Sequence, residues 1–409
     1  MRLTQCVALA LAVVGPGACG KSASDAVVDA GSGGARADGG VDASLGGYDD
    51  AGSGPDATIS TLDAADDPDS GDLDAGGGLD SGDAVAPGAE ASAVVCPQTA
   101  LAPGDYTRTL SIDGGARTYY VHVPPGLAPA TAAPLVFAFH GGGMTVLGDG
   151  GLGFELFAHV RPKSDSSGFV LVEPEGTPAL PGSQPGVLDV FNAGNCCEQA
   201  EQKNSNVDDV GFVSAMIDAV SQEICVDPKR IFATGLSNGA MLSHRLACQL
   251  SDRIAAIAAV SGGMGNVDRD TFPSPTTLFT CNPTRPVPVL HIHGTQDACY
   301  PFDGGWGPLS LLTFEAVPVT IQNWLTRNGC GAGAPTQVSS HGAASCFQYP
   351  CPEAGAVELC TIDGGGHYWP GGDDWAGSTF LCGSNQGVRS SDLIANDAMW
   401  SWFLAHPMP

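Results

Sequence analysis

From Leu135 to Ile362 the chain repeats one pattern: a short apolar run, a glycine or polar stop, then a stretch with helical spacing. The runs Leu135–His140, Gly168–Pro174, Arg230–Thr234, Ile254–Val260, Val287–His293 and Ala356–Ile362 read as strands. Arg117–Val123 alternates in the manner of an earlier one. Helices are expected over Asp208–Cys225, Asn238–Leu250, Val317–Arg327 and Asp392–Ala405. In the first, Asp208 or Asp209 can cap the N-terminus, and Val210, Val213, Ile217 and Val220 fall on one face. Short apolar strands alternating with helices predict an α/β domain, a mostly parallel central sheet with helices on both faces. In such sheets ligands sit beyond the carboxyl ends of the strands. A reactive side chain should therefore lie just after one.

That pattern is confined to Cys96–Pro409. Gly20–Val95 is low-complexity, with 16 acidic residues against 2 basic ones, and carries half of the chain's net charge of −28. It has too little apolar surface to offset its ordering entropy, so a disordered acidic tether or solubilising filler is expected there. Residues 1–19 read as an export signal: Arg2, an apolar run from Val7 to Val14, then small residues up to Ala18. The apolar run is far too short to cross a bilayer. The small residues before Cys19 resemble a lipoprotein cleavage box, which would make Cys19 a lipidated N-terminus. Ordinary cleavage and full secretion is the alternative.

The domain at 96–409 is acidic and has no basic patch or Lys/Arg run, which argues against nucleic acid or an anionic membrane surface as partner. Of 14 cysteines, Cys6 and Cys19 lie in the signal and 12 in this domain. Behind an export signal that number reads as disulfides. No paired CxxC motifs suggest zinc. His291 and His293 share a strand face near Asp297, but two histidines do not make a catalytic metal site, and no metal or cofactor is expected.

Arg230–Gly239 places Ser237 in a Gly-x-Ser-x-Gly pentapeptide between a strand and a helix. In a chain with 57 Gly the pentapeptide is near chance level, and its position is what gives it weight. A strand-to-helix turn exposes the hydroxyl and aims the positive end of the helix dipole at it. Serine is a weak nucleophile and needs a base. Of nine histidines, His367 follows a strand in a glycine-rich loop that would let its ring reach across, whereas His244 is expected to pack on the helix after the serine. A carboxylate should orient the base. Asp297 follows the Val287–His293 strand, Asp303 lies on the same loop, and Asp363 fits a turn that aims His367. The order Ser237, Asp297, His367 is the order of the α/β-hydrolase layout. After Leu135–His140 comes Gly141-Gly142-Gly143, where an N–H of Gly142 or Gly143 could join that of Asn238 as an oxyanion hole.

The segments AFHGGG, CVDPKRIFATGLSNGAM, HGTQD with PFDGG, NWLTRNGC and GHYWPGG together resemble secreted esterases grouped with feruloyl esterases and polyhydroxybutyrate depolymerases. The likeness runs from about Cys96 to His406. It implies an α/β-hydrolase fold, Ser237 as nucleophile, Asp297 as acid and His367 as base, and a disulfide between Cys225 and Cys248. Ala240 stands where several relatives carry a second glycine, and Ala298-Cys299-Tyr300 departs from the small or β-branched residues common there.

These readings converge on a secreted or surface-tethered bacterial serine esterase acting on plant cell-wall esters, with feruloyl or acetyl groups on xylan as leading candidates. Tyr300, Trp306, Tyr368 and Trp369 could stack on an aromatic acyl group or sugar. A polyhydroxyalkanoate depolymerase with the same triad is the alternative. A non-catalytic tethered binding lipoprotein is the rival from another class.

Overall fold

The computed structural model describes Val94 and residues 96–409 apart from 113, 149–152, 180–183, 187, 195–206, 266, 269–275, 278, 308–312, 376–381 and 384–385. The expected export signal, Cys19, the expected tether other than Val94, and the adjacent Cys196 and Cys197 lie outside the described residues.

Among the described residues ten strands form one sheet. In chain order they are β1 (Gly104–Ile112), β2 (Gly115–Val123), β3 (Ala133–Phe139), β4 (Val170–Pro174), β5 (Val226–Leu236), β6 (Ala256–Val260), β7 (Val289–Gly294), β8 (Thr336–His341), β9 (Ala344–Gln348) and β10 (Val357–Ile362). Across the sheet they lie β1-β2-β4-β3-β5-β6-β7-β10-β9-β8. From β4 to β10 the neighbours are parallel. Antiparallel pairs β1–β2–β4 and β10–β9–β8 close the two sides.

The helices are α1 (Phe154–Ala158), α2 (Val160–Ser167), α3 (Asp209–Glu223), α4 (Asn238–Gln249), α5 (Val317–Arg327) and α6 (Ala395–Ala405). Asp208 caps α3 by accepting from the Gly211 N–H. Two apolar layers follow from the period-2 alternation of strand side chains. Leu135, Phe137 and Phe139 of β3 pack with Phe212 and Ile217 of α3, Leu246 of α4 and Trp324 of α5. Val136 and Ala138 face the opposite layer, with Phe154 of α1 and Trp400 and Phe403 of α6. Each of these large side chains, removed from water, contributes about 1.5–3 kcal/mol. A sheet buried on both faces is what continuous apolar strands require.

Every strand and helix expected from the sequence is present, with ends shifted by a few residues. β1, β8, β9, α1 and α2 were not expected. β1 alternates half-buried and exposed residues, and all of β8, Thr336–His341, is exposed. Neither carries a run of apolar residues; both gain strand structure from a partner's hydrogen bonds.

The described cysteines form Cys96–Cys225, Cys248–Cys281, Cys299–Cys382, Cys330–Cys351 and Cys346–Cys360. The expected Cys225–Cys248 bridge is therefore incorrect. Cys248 lies at the end of α4, a 12-residue helix about 18 Å long. Cys225 precedes Val226, beyond the irregular stretch between Val226 and Ile231, and the regular run Ile231–Leu236 alone covers about 20 Å. The helix does not reach back that far, and each cysteine bonds to a segment beside it.

Peptide mapping without reduction should recover Cys225 linked to Cys96 and Cys248 linked to Cys281. A Cys225–Cys248 peptide would overturn this connectivity. Replacing Cys248 and Cys281 together with serine should cost about 4 kcal/mol in unfolding free energy, the loop-entropy value for their separation of 33 residues.

Candidate active site

The candidate side chains gather at the carboxyl ends of the parallel strands. Ser237 sits between β5 and α4 with φ 56° and ψ −118°, a conformation that L-residues adopt only under constraint. Within Ile231–Ala240 it is the one residue that is not buried. Its N–H donates to the Val260 carbonyl at 2.9 Å and its carbonyl accepts from Met241 at 2.9 Å, so both sides of the turn are anchored. The flanking glycines are required by contact with β3. A Cβ on Gly235 would come within 2.7 Å of the Phe139 carbonyl oxygen, and one on Gly239 would be closer still. No larger residue lets α4 lie this near β3.

His367 lies in the loop after β10 and Asp297 in the loop after β7. His367 Nδ1 and Asp297 Oδ2 are 2.7 Å apart, both residues buried. The Nδ1–H thus donates a hydrogen bond to the carboxylate, which leaves the lone pair on Nε2. Asp297 Oδ1 accepts from the Cys299 and Tyr300 N–H groups, each at 2.8 Å. Burial alone would raise the pKa of Asp297; the His367 imidazole with its hydrogen bond, His293 and the Tyr300 N–H outweigh it, and the carboxyl ends below its usual value. The two loops are laced together. Thr295 N donates to the Ile362 carbonyl and Gln296 N to that of Gly365, both at 2.9 Å, and Gly364 N donates to Thr295 Oγ1 at 2.9 Å. Thr295 Oγ1 in turn donates to Asp363 at 3.2 Å, which places Asp363 in the turn as expected. Asp303 is exposed on the loop.

The oxyanion candidates separate. The Gly143 N–H donates to the Asp189 carbonyl at 2.8 Å, so Gly143 is withdrawn as a donor. Among the described residues nothing takes the N–H of Gly142. A Cβ on Gly141 would lie 3.5 Å from Ser237 Cβ, which sets this loop against the serine. Asn238 opens α4, where backbone N–H groups have no partner within the helix. Its side chain, fully buried, accepts from Phe191 N at 2.7 Å and donates to Phe191 O at 3.0 Å, pinning that segment to the helix start. Sequence reasoning missed this second role.

Of the four aromatic residues expected to meet substrate, two are core. Tyr300 is buried and stacks on Phe314 with centroids 4.4 Å apart. Trp369 is buried edge-on to Phe154 at 5.4 Å and donates to Asn396 at 3.1 Å. Tyr368 is half-buried, its hydroxyl accepting from Gln386 at 2.8 Å. Trp306 alone stands out, 61% exposed. Bulky residues beside such a loop can brace it or face a ligand, and sequence position does not separate the two. The Cys299–Cys382 bridge also braces this loop.

The one group of potential metal ligands among the described residues, Cys346, Glu358 and Cys360, includes the two cysteines of a disulfide and has no free thiolates to offer. His291 and His293 meet other side chains, described below.

A family model for phospholipases and carboxylesterases matches residues 129–306. NocK of Nocardia uniformis subsp. tsuyamanensis, named as a candidate esterase, is 30% identical over 284 residues, covering 65% of this chain and 74% of that protein. The chain belongs to the carboxylesterase family of α/β-hydrolases. Other members among its relatives are feruloyl esterase B of Piromyces equi, 31% identical over 61% of this chain and 42% of that protein, and feruloyl esterase C of Emericella nidulans, 27% identical over 71% and 84%. This esterase-family chain thus spans less than half the length of the Piromyces protein and most of the other two. The likeness to feruloyl esterases expected from its motifs is borne out.

His140, ahead of the glycine loop, is fully buried: Nδ1 lies 2.8 Å from the Gly141 carbonyl and Nε2 accepts from Gly176 N at 3.0 Å. Burial lowers its pKa to about 4, against the smaller opposing effect of the Gly141 hydrogen bond. A histidine lowered in this way stabilises the fold fully above its unfolded pKa, and that contribution fades as pH falls toward the folded value. Relative to a His140→Gln variant, the wild type should therefore lose about 3 kcal/mol of unfolding free energy between pH 6.5 and pH 4. Denaturant melts of both proteins across that range measure it; a constant difference would show that His140 titrates normally.

Proposed function

We propose that this chain is an exported serine carboxylic-ester hydrolase that cleaves plant cell-wall esters, with feruloyl or acetyl groups on xylan as substrates. The observation that carries the chemistry is the buried His367–Asp297 pair at 2.7 Å, at the same end of the sheet as the constrained Ser237 turn. His367 Nε2 takes the Ser237 proton as Oγ attacks the ester carbonyl. The N–H groups of Asn238 and Gly142 hold the oxyanion. His367 then protonates the departing alcohol, and water attacks the acyl-enzyme by the reverse route. Asp297 keeps the ring in the Nδ1–H tautomer and stabilises the imidazolium.

The substrate class is supported by the relatives. Two are named feruloyl esterases, and a third, of Neocallimastix patriciarum, is named a bifunctional acetylxylan esterase/xylanase. They favour the cell wall over a polyhydroxyalkanoate polymer. Export to an oxidising compartment is supported by the disulfides. The signal at 1–19 and the tether at 20–95 would then hold the 96–409 domain away from a surface, through a lipid on Cys19 if the lipoprotein route is taken.

Ser237→Ala should lower turnover about 10⁶-fold and abolish labelling by a fluorophosphonate probe. Near-normal hydrolysis by that variant would sink the triad, and failure of the wild type to label would favour the binding-protein reading. Incubation with arabinoxylan should release ferulate or acetate; release of hydroxybutyrate from polymer instead would reverse the substrate order. Trp306→Ala should raise KM for aryl esters with no change in Tm, whereas Tyr300→Ala, a core truncation, should cost about 3–5 kcal/mol of stability.

A further inference from the structure

A buried file of three histidines runs from the helix after Ser237 to the Asp297 carboxylate. Trp324 Nε1 donates to His244 Nδ1 at 2.9 Å. His244 Nε2 stands 3.4 Å from His291 Nδ1, and His291 Nε2 stands 3.0 Å from His293 Nδ1. His293 Nε2 then lies 2.9 Å from the Tyr300 carbonyl oxygen and 3.4 Å from Asp297 Oδ2. All three histidines and Trp324 are fully buried. Alternation along β7 puts His291 and His293 on the same face as Val289, toward α4 and α5. The rings have no access to water there, so each ring nitrogen needs a partner.

The two ends of the file fix its direction. An indole N–H only donates, and a carbonyl or carboxylate oxygen only accepts. Trp324 therefore makes His244 Nδ1 an acceptor, with the ring proton on Nε2. His244 also hydrogen-bonds the Gly262 backbone; across the 3.4 Å step to His291, and the 3.0 Å step to His293, the same direction holds. Starting from Tyr300 O and Asp297 gives the same answer: His293 must carry its proton on Nε2 and accept at Nδ1. Burial pushes the pKa of His244 down to about 3, that of His291 well below its usual value, and that of His293 down as well. Burial thus favours the neutral form of all three rings.

We propose that Trp324, His244, His291 and His293 are positioning residues, a one-way hydrogen-bonded file that presents a neutral N–H to the catalytic Asp297 loop. The proposal rests on Asp297 orienting His367 as described above. Its effect is to fix what His293 shows to Asp297 Oδ2, the oxygen that also accepts from His367. A reversed file would turn the His293 Nε2 lone pair on Tyr300 O and Asp297 Oδ2, repelling both. A doubly protonated His293 would compete with His367 for the same oxygen. The groups facing His293 are Asp297, His367, His291, the Tyr300 carbonyl and the rings of Tyr300 and Phe302; Asp297 is the only acid among them.

Long-range ¹H–¹⁵N spectra of the full-length chain labelled in histidine should show three neutral rings with the proton on Nε2. A proton on Nδ1 in any of the three, or a cationic ring at pH 7, overturns the file irrespective of activity. His291→Leu, which cuts it, should lower kcat about tenfold with KM within about twofold. His291→Gln, whose amide again offers one acceptor and one donor, should recover most of that loss. Should the leucine variant not fold, the wild-type spectrum still decides. Equal loss in both variants, or full kcat in the leucine variant, refutes the positioning role. Ser237→Ala separates this from failure of the triad: if that variant stays active the catalytic reading fails, whatever the tautomers are.

Discussion

The close approach of α4 to β3 is the contact on which the site depends. Gly235 and Gly239 let the helix start against the Phe139 carbonyl, and the chain between them must turn so sharply that Ser237 takes a positive φ. The strain is held by the surrounding sheet: Ser237 N bonds to Val260 O of β6, and the first helical side chain, Asn238, bonds both backbone groups of Phe191. That Ser237 alone in its segment is not buried is a consequence of that packing. The glycine loop after β3 is drawn to the same spot because β3 and β5 are parallel neighbours in register, Phe139 beside Gly235.

Parallel pairing does the same for Asp297 and His367. β7 and β10 run side by side with Gly294 opposite Ile362, so the loops that leave them start together and share hydrogen bonds through Thr295. Asp297 and His367, 70 residues apart in the chain, meet at 2.7 Å for that reason. The Cys299–Cys382 bridge and the buried Tyr300 then limit movement of the Asp297 loop. Rigid loops on a buried parallel sheet are how a polar cluster this deep keeps its geometry.

Much of this was legible because it depends on local pattern. Apolar runs with glycine stops gave β3–β7 and β10, and the rule that ligands lie beyond strand ends singled out Ser237, Asp297 and His367 from many serines, acids and histidines. What stayed hidden depends on partners distant in sequence. β8 has no apolar period of its own and exists by pairing with β9. Tyr300 and Trp369 look like ligand contacts in the sequence and are core in the fold, since side-chain direction at a loop is set by what packs behind it. His291 and His293 had a visible signal, two histidines at period 2 in an apolar strand, but the sequence does not show that His244 and Trp324 meet them.

The sequence by itself determined the α/β architecture, the place of the serine turn and the order of the candidate triad, because strand period, glycine positions and turn chemistry act over a few residues. Only the tertiary structure decided which cysteines bond, that the Gly143 N–H is taken by Asp189, which of the four aromatic candidates is most exposed, and that three histidines line up behind Asp297. Each of those depends on the distance between elements, and that distance is set by how helices of about 1.5 Å per residue pack on strands of about 3.3 Å per residue.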